Sequence, residues 1–98
     1  MTKFTFNSDA IEKIGDSAFE KCQILKEFNV PSTVKSVGED AFKGCKSLTK
    51  ITFNDPKTFI YDSADTISST ATIYGYASST AHDYATKYSR KLFSLILM

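Results

Sequence analysis

The stretch Ile11-Glu-Lys-Ile14-Gly15-Asp-Ser-Ala18-Phe19-Glu-Lys-Cys22-Gln-Ile-Leu25-Lys-Glu-Phe28-Asn-Val30-Pro31 decides the fold, because the chain repeats it. Its second copy is Val34-Lys-Ser-Val37-Gly38-Glu-Asp-Ala41-Phe42-Lys-Gly-Cys45-Lys-Ser-Leu48-Thr-Lys-Ile51-Thr-Phe53. Ile14 and Val37, Phe19 and Phe42, Cys22 and Cys45, and Leu25 and Leu48 all stand 23 residues apart. A fixed period between 20 and 50 residues is the mark of a stacked-coil protein. One such unit cannot bury its apolar face alone, so consecutive units stack and share a core.

Within a unit the pattern predicts two extended edges and one compact corner. Leu25 to Val30 and Leu48 to Phe53 end in period-two alternation, as does Phe4-Thr5-Phe6, which reads as the strand of a partial first coil. Val34-x-x-Val37-Gly38 reads as a second, shorter edge. Residues 16–21 and 39–44 carry an acidic start and an Ala-Phe pair, which predicts a single helical turn. Phe19 and Phe42 should stack there, and Gly15 and Gly38 should mark positive φ or a close approach of the next coil.

The pattern fades after Phe53. Residues 54–57 read as a loop, 59–61 as a short strand, 62–69 as a polar turn and 71–75 as another strand. Ser79 or Thr80 can cap a helix whose apolar stripe is Ala81, Tyr84, Ala85 and Tyr88, at i, i+3, i+4 and i+7. Residues 92–98 close the chain as an apolar strand. The expected class is α/β: a short solenoid of about two and a half coils, closed by a strand-helix-strand cap. The expected organisation is one domain over residues 1–98, with repeats to residue 57 and a closing segment over 58–98.

Composition excludes several roles. Twelve Lys and Arg against eleven Asp and Glu give a net charge of +1, too even for a nucleic-acid or polybasic membrane surface. No apolar run reaches the length of a membrane span, and the first residues lack the apolar core of a signal peptide. The chain is therefore expected to be either cytoplasmic or a fragment of a longer exported protein. Cys22 and Cys45 share one repeat position, and coils about 5 Å apart lie within disulfide reach. A bridge and a ladder of small buried thiols both remain open.

The Gly-x-x-Ala-Phe-x-x-Cys-x-x-Leu motif resembles the BspA-like (Treponema-type) leucine-rich repeat. The tail, with Ile60-Tyr-Asp-Ser-Ala, Ala71-Thr-Ile-Tyr-Gly-Tyr76 and Ser79-Thr-Ala-x-x-Tyr84-Ala-x-Lys-Tyr88, resembles the closing segment of such arrays. The resemblance implies a bacterial surface or secreted protein with a protein-binding or adhesion role. A purely structural spacer or cap of a longer array is the alternative.

Chemistry-bearing residues are few. His82 is the sole histidine and falls off the apolar stripe. It and two cysteines do not make a zinc set, and Asp62-Ser-Ala-Asp65 lacks a calcium loop's alternation and glycine. The expectation is a non-enzyme without catalytic residue, metal or cofactor. The candidate binding face is the outward side of the long strands: Thr5, Asn29 and Thr52 in one ladder, with Lys3, Glu27 and Lys50 beside it. Tyr74 and Tyr76, on one strand face, form a secondary aromatic patch. The first coil has no cap before it, so its open face predicts an upstream array or a homo-oligomer through that coil.

Overall fold

The structure, a computed structural model, describes the backbone of residues 3 and 4 and all of residues 11–95. It is a β-solenoid of about four turns with one short helix. The long edges of the coils, β1 (Lys3–Phe4), β3 (Glu27–Val30), β5 (Lys50–Phe53) and β7 (Thr72–Tyr76), form a parallel sheet. The last strand, β8 (Leu92–Leu95), joins it beside β7. The short edges, β2 (Lys13–Ile14), β4 (Ser36–Val37) and β6 (Phe59–Ile60), form a second parallel sheet. Helix α1 (Thr80–Lys87) lies between β7 and β8 in sequence, giving the expected strand-helix-strand ending. The expected strand at Phe6 and the residues beyond Leu95 lie outside the described residues.

Register follows the repeat. Lys3, Glu27, Lys50 and Thr72 are successive partners in the first sheet, and Ile14, Val37 and Ile60 in the second. The 23-residue step thus survives in β6, where the motif has faded, because Ile60 supplies the one inward apolar residue a two-residue strand needs. That continuation is why the solenoid has more turns than the two and a half expected.

The interior holds the repeated apolar set. Leu25, Leu48, Val34, Val37, Ile51, Ile67 and Ile73 are fully buried, each adding about 1.5–3 kcal/mol of transfer free energy. Phe19 and Phe42 stack as expected, ring centroids 5.4 Å apart and planes within 7°. Phe28 packs against both, at 4.9 and 4.8 Å. Phe42 is fully buried and Phe19, one coil nearer the N-terminus, only partly so. Cys22 and Cys45 are free thiols; the Cys45 Sγ donates to the Phe19 carbonyl at 3.0 Å.

The corners differ from expectation. Residues 16–21 and 39–44 are not helical turns but chained tight turns with left-handed residues at matching positions: Ser17 and Asp40, then Lys21 and Gly44. The first corner is tied to the second by three bonds between coils, whereas among the described residues Phe42 alone donates onward from the second corner, to the Thr66 carbonyl at 2.9 Å. Ser17, Phe19 and Lys21 donate to the carbonyls of Glu39, Ala41 and Lys43 at 2.7–2.8 Å. A helical turn would point those N–H groups along its own axis, whereas here alternate ones reach the next coil. The glycines also divide. Neither Gly15 nor Gly38 has positive φ. Gly38 marks a close approach: a Cβ there would lie 2.7 Å from the Asp16 nitrogen and 2.8 Å from the Gly15 carbonyl carbon. At Gly15 nothing described lies within 4 Å.

Candidate interaction face

Alternation along each long strand sends one set of side chains into the core and the other outward. Phe28 and Val30 are buried, while Glu27 and Asn29 are exposed. Ile51 and Phe53 are buried, and Lys50 and Thr52 are half-buried on the outer side. In β7, Ile73 and Gly75 point inward. Helix α1 sits on that inner side, close enough that a Cβ at Gly75 would meet the Ala81 Cβ at 2.7 Å. Thr72, Tyr74 and Tyr76 therefore share the outer face.

The register joins the two regions that the sequence separates. Glu27, Lys50 and Thr72 form one row; Asn29, Thr52, Tyr74 and Phe93 form the next. The aromatic patch is thus continuous with the polar ladder. Tyr74 stacks on Phe93, centroids 5.2 Å apart and planes at 22°, and the Lys50 Nζ stands 4.6 Å from the Tyr74 centroid. At one edge of the face, Asn54 donates to the Asn29 side-chain oxygen at 2.8 Å. Lys3 belongs to the first row by register; Thr5 lies outside the described residues. Phe93, 52 % exposed, was not expected on this face. The parity of residues 92–98 was readable, but β8 arrives 19 residues after β7 rather than 23, so its pairing was not.

A second cluster lies where α1 meets residues 61–68. Ser79 caps the helix by accepting from the His82 N–H, and Ala81, Tyr84 and Ala85 are buried as the stripe requires. The Tyr84 hydroxyl donates to the Ser63 carbonyl at 2.7 Å and accepts from the Ile67 N–H at 3.2 Å. Arg90 donates to the carbonyls of Ala64, Ile67 and Ser68. Asp62 accepts from both Lys87 Nζ and the Tyr88 hydroxyl at 2.6 Å. The Lys87 and Tyr88 donors hold the Asp62 carboxyl below its ordinary range. The same carboxylate pushes the Tyr88 phenol up to about 12. Burial raises the Tyr84 phenol and the Cys45 thiol.

Around His82 the structure places one ionisable neighbour, Asp83. The histidine side chain is nearly half exposed and its ring stands 4.0 Å from Asp83. Among the described residues no three metal-ligating side chains cluster, and no helix is long and apolar enough to cross a membrane.

The 23-residue lattice, with its Phe, Cys and Leu ladders, is matched by a family model described as BspA type leucine-rich repeat region (6 copies), over residues 1–96. The chain belongs to this family. No curated protein and no solved structure matches it. Leucine-rich repeats of this type are generally non-catalytic and commonly serve protein interaction, and the BspA type is typically surface-associated.

Proposed function

We propose that the chain is a non-catalytic adhesion module which binds a protein partner, on a host or another cell, through the outer face of the five-stranded sheet. The contact residues are Lys3, Thr5, Glu27, Asn29, Lys50 and Thr52, extended by Tyr74, Tyr76 and Phe93. The observation that carries this reading is the Lys50–Tyr74–Phe93 stack. It puts aromatic area, rigid and cheap in entropy to immobilise, beside a ladder of hydrogen-bonding groups. Charged Glu27 and Lys50 at the margin of the aromatic area suit a polar rim around an apolar anchor. The family's surface association supports a location outside a bacterial cell.

The test is an array of extracellular-matrix and host cell-surface proteins probed with the labelled chain. A binding module gives saturable binding to one or a few of them. A structural spacer, whose outer face is only a solvated sheet, gives none.

A further inference from the structure

The two sheets end differently where α1 closes the solenoid. At the edge of β6 the Thr80 N–H bonds the Pro56 carbonyl at 3.0 Å and the Thr80 hydroxyl bonds the Thr58 carbonyl. The helix fills that edge, so no further coil stacks there in register. The five-stranded sheet runs past this point, and β8 is its outermost strand. Pairing with β7 uses alternate residues of β8. Ile73 donates to the Lys91 carbonyl at 2.9 Å. In a parallel register Phe93 and Leu95 then also turn their main-chain groups toward β7. The N–H and C=O of Leu92 and Ser94 point the other way, and among the described residues nothing bonds them. The strand Leu-Phe-Ser-Leu carries neither a charge nor a proline, the usual guards of an open edge. Ser94 is exposed, and so is the Phe93 ring beside it.

We propose that the β8 edge binds a second copy of this chain, the two strands pairing antiparallel about a two-fold axis at Phe93. This register sets Leu92 against Ser94 of the second copy, so both open residues of each described strand find open partners and exchange both bonds. Phe93 then lies opposite Phe93 of the second copy as a non-hydrogen-bonded pair, the arrangement that brings side chains closest. Charge complementarity holds as well. Lys91, the charge nearest the edge, comes opposite the half-buried Leu95 of the second copy, and no like charges meet. The two-fold contact uses one patch on both copies and closes, whereas joining β8 to β1 of another copy would grow a filament. The product is one sheet of ten strands, five from each copy. Each Tyr74–Phe93 stack meets its equivalent across the axis, so the two outer faces become a single bivalent surface. The pairing itself does not depend on what that face binds.

The test is sedimentation of the chain from micromolar to millimolar concentration, with amide hydrogen exchange followed over the same series. The expected result is a monomer–dimer equilibrium in which the Leu92 and Ser94 N–H groups become protected as the dimer forms. Ser94→Pro should give a monomer with an unchanged melt, because an edge strand accommodates proline where its N–H faces outward. Phe93→Cys, made together with Cys22→Ser, should cross-link into a covalent dimer under a mild oxidant, since an opposed non-hydrogen-bonded pair lies within disulfide reach. Tyr76→Cys in the same background should not. A parent that stays monomeric at millimolar concentration overturns the proposal, as does dimerisation that leaves exchange at Leu92 and Ser94 unchanged; neither result depends on a variant folding. Species that keep growing with concentration, which is head-to-tail assembly through β1, overturn it too. So does a dimer that survives Ser94→Pro or resists cross-linking through Phe93→Cys, since it is held by another surface.

Discussion

At the residue scale, position in the lattice decides what a substitution costs. Phe42 is fully enclosed and touches the rings of both Phe19 and Phe28. Phe42→Ala should cost about 3–5 kcal/mol, the range for truncating a buried aromatic. That is much of the stability of so small a domain, so a thermal melt should lose its cooperative transition or drop by tens of degrees. Gly15 and Gly38 occupy the same repeat position, and among the described residues only Gly38 has close neighbours. Gly38→Ala drives a methyl against main-chain atoms of the previous coil and should cost about 1–3 kcal/mol. Gly15→Ala meets nothing described within 4 Å and should be neutral, or stabilising by about 0.5 kcal/mol through the unfolded state. Paired denaturant melts check the contrast. Both glycines are equally visible in the repeat; the Asp16 and Gly15 main chain that crowds Gly38 is not, because it belongs to the preceding coil. The cysteines part in the same way. Burial raises the Cys45 thiol and leaves it inaccessible, while Cys22 is partly exposed. A thiol reagent at mildly alkaline pH should modify Cys22 in the native chain and Cys45 only as the chain unfolds.

At the scale of elements, helix α1 fastens the irregular residues 61–68 to the end of the solenoid. Tyr84→Phe removes a donor to Ser63 and strands the buried Ile67 N–H, which should cost about 2 kcal/mol; urea unfolding measures it. The Asp62–Lys87–Tyr88 group makes the fastening depend on pH at both ends. The Asp62 carboxyl titrates lower in the folded chain than in the unfolded one, so its contribution is present above the unfolded value and fades as pH falls through the folded one. Tyr88 titrates higher, at about 12. Its contribution is complete below the unfolded value near 10 and is lost as pH rises toward 12. Removing the carboxylate with Asp62→Asn should flatten the melting temperature against pH at both extremes, the acid limb and the limb above pH 10 alike. Melts across the pH range read this directly. The helix itself was legible, since Ser79 and the Ala81, Tyr84, Ala85, Tyr88 stripe are local signals. The corners were not. An acidic start with an Ala-Phe pair has the composition of a helical turn, and the bonds that hold residues 16–21 in tight turns go to the next coil, which takes alternate N–H groups at 2.7–2.8 Å.

For the whole molecule, the repeat made the architecture legible and also located half of the proposed contact face. Asn29 and Thr52, and Glu27 and Lys50, lie in the rows that a 23-residue period dictates. The aromatic half could not be joined to them from sequence, because β8 breaks the period and brings Phe93 beside Tyr74 by way of the helix. The account's central claim is that this joined face binds a protein partner. The most direct measurement compares surface-plasmon-resonance binding of the parent and of the Lys50→Ala, Tyr74→Ala, Phe93→Ala triple variant to a partner found on the array. All three side chains lie outside the core, so the variant should keep a cooperative melt. The account predicts saturable binding by the parent and a loss of about a hundredfold or more in the variant, the scale of removing an aromatic and cationic hot spot. Equal affinity of the folded variant and the parent would contradict it.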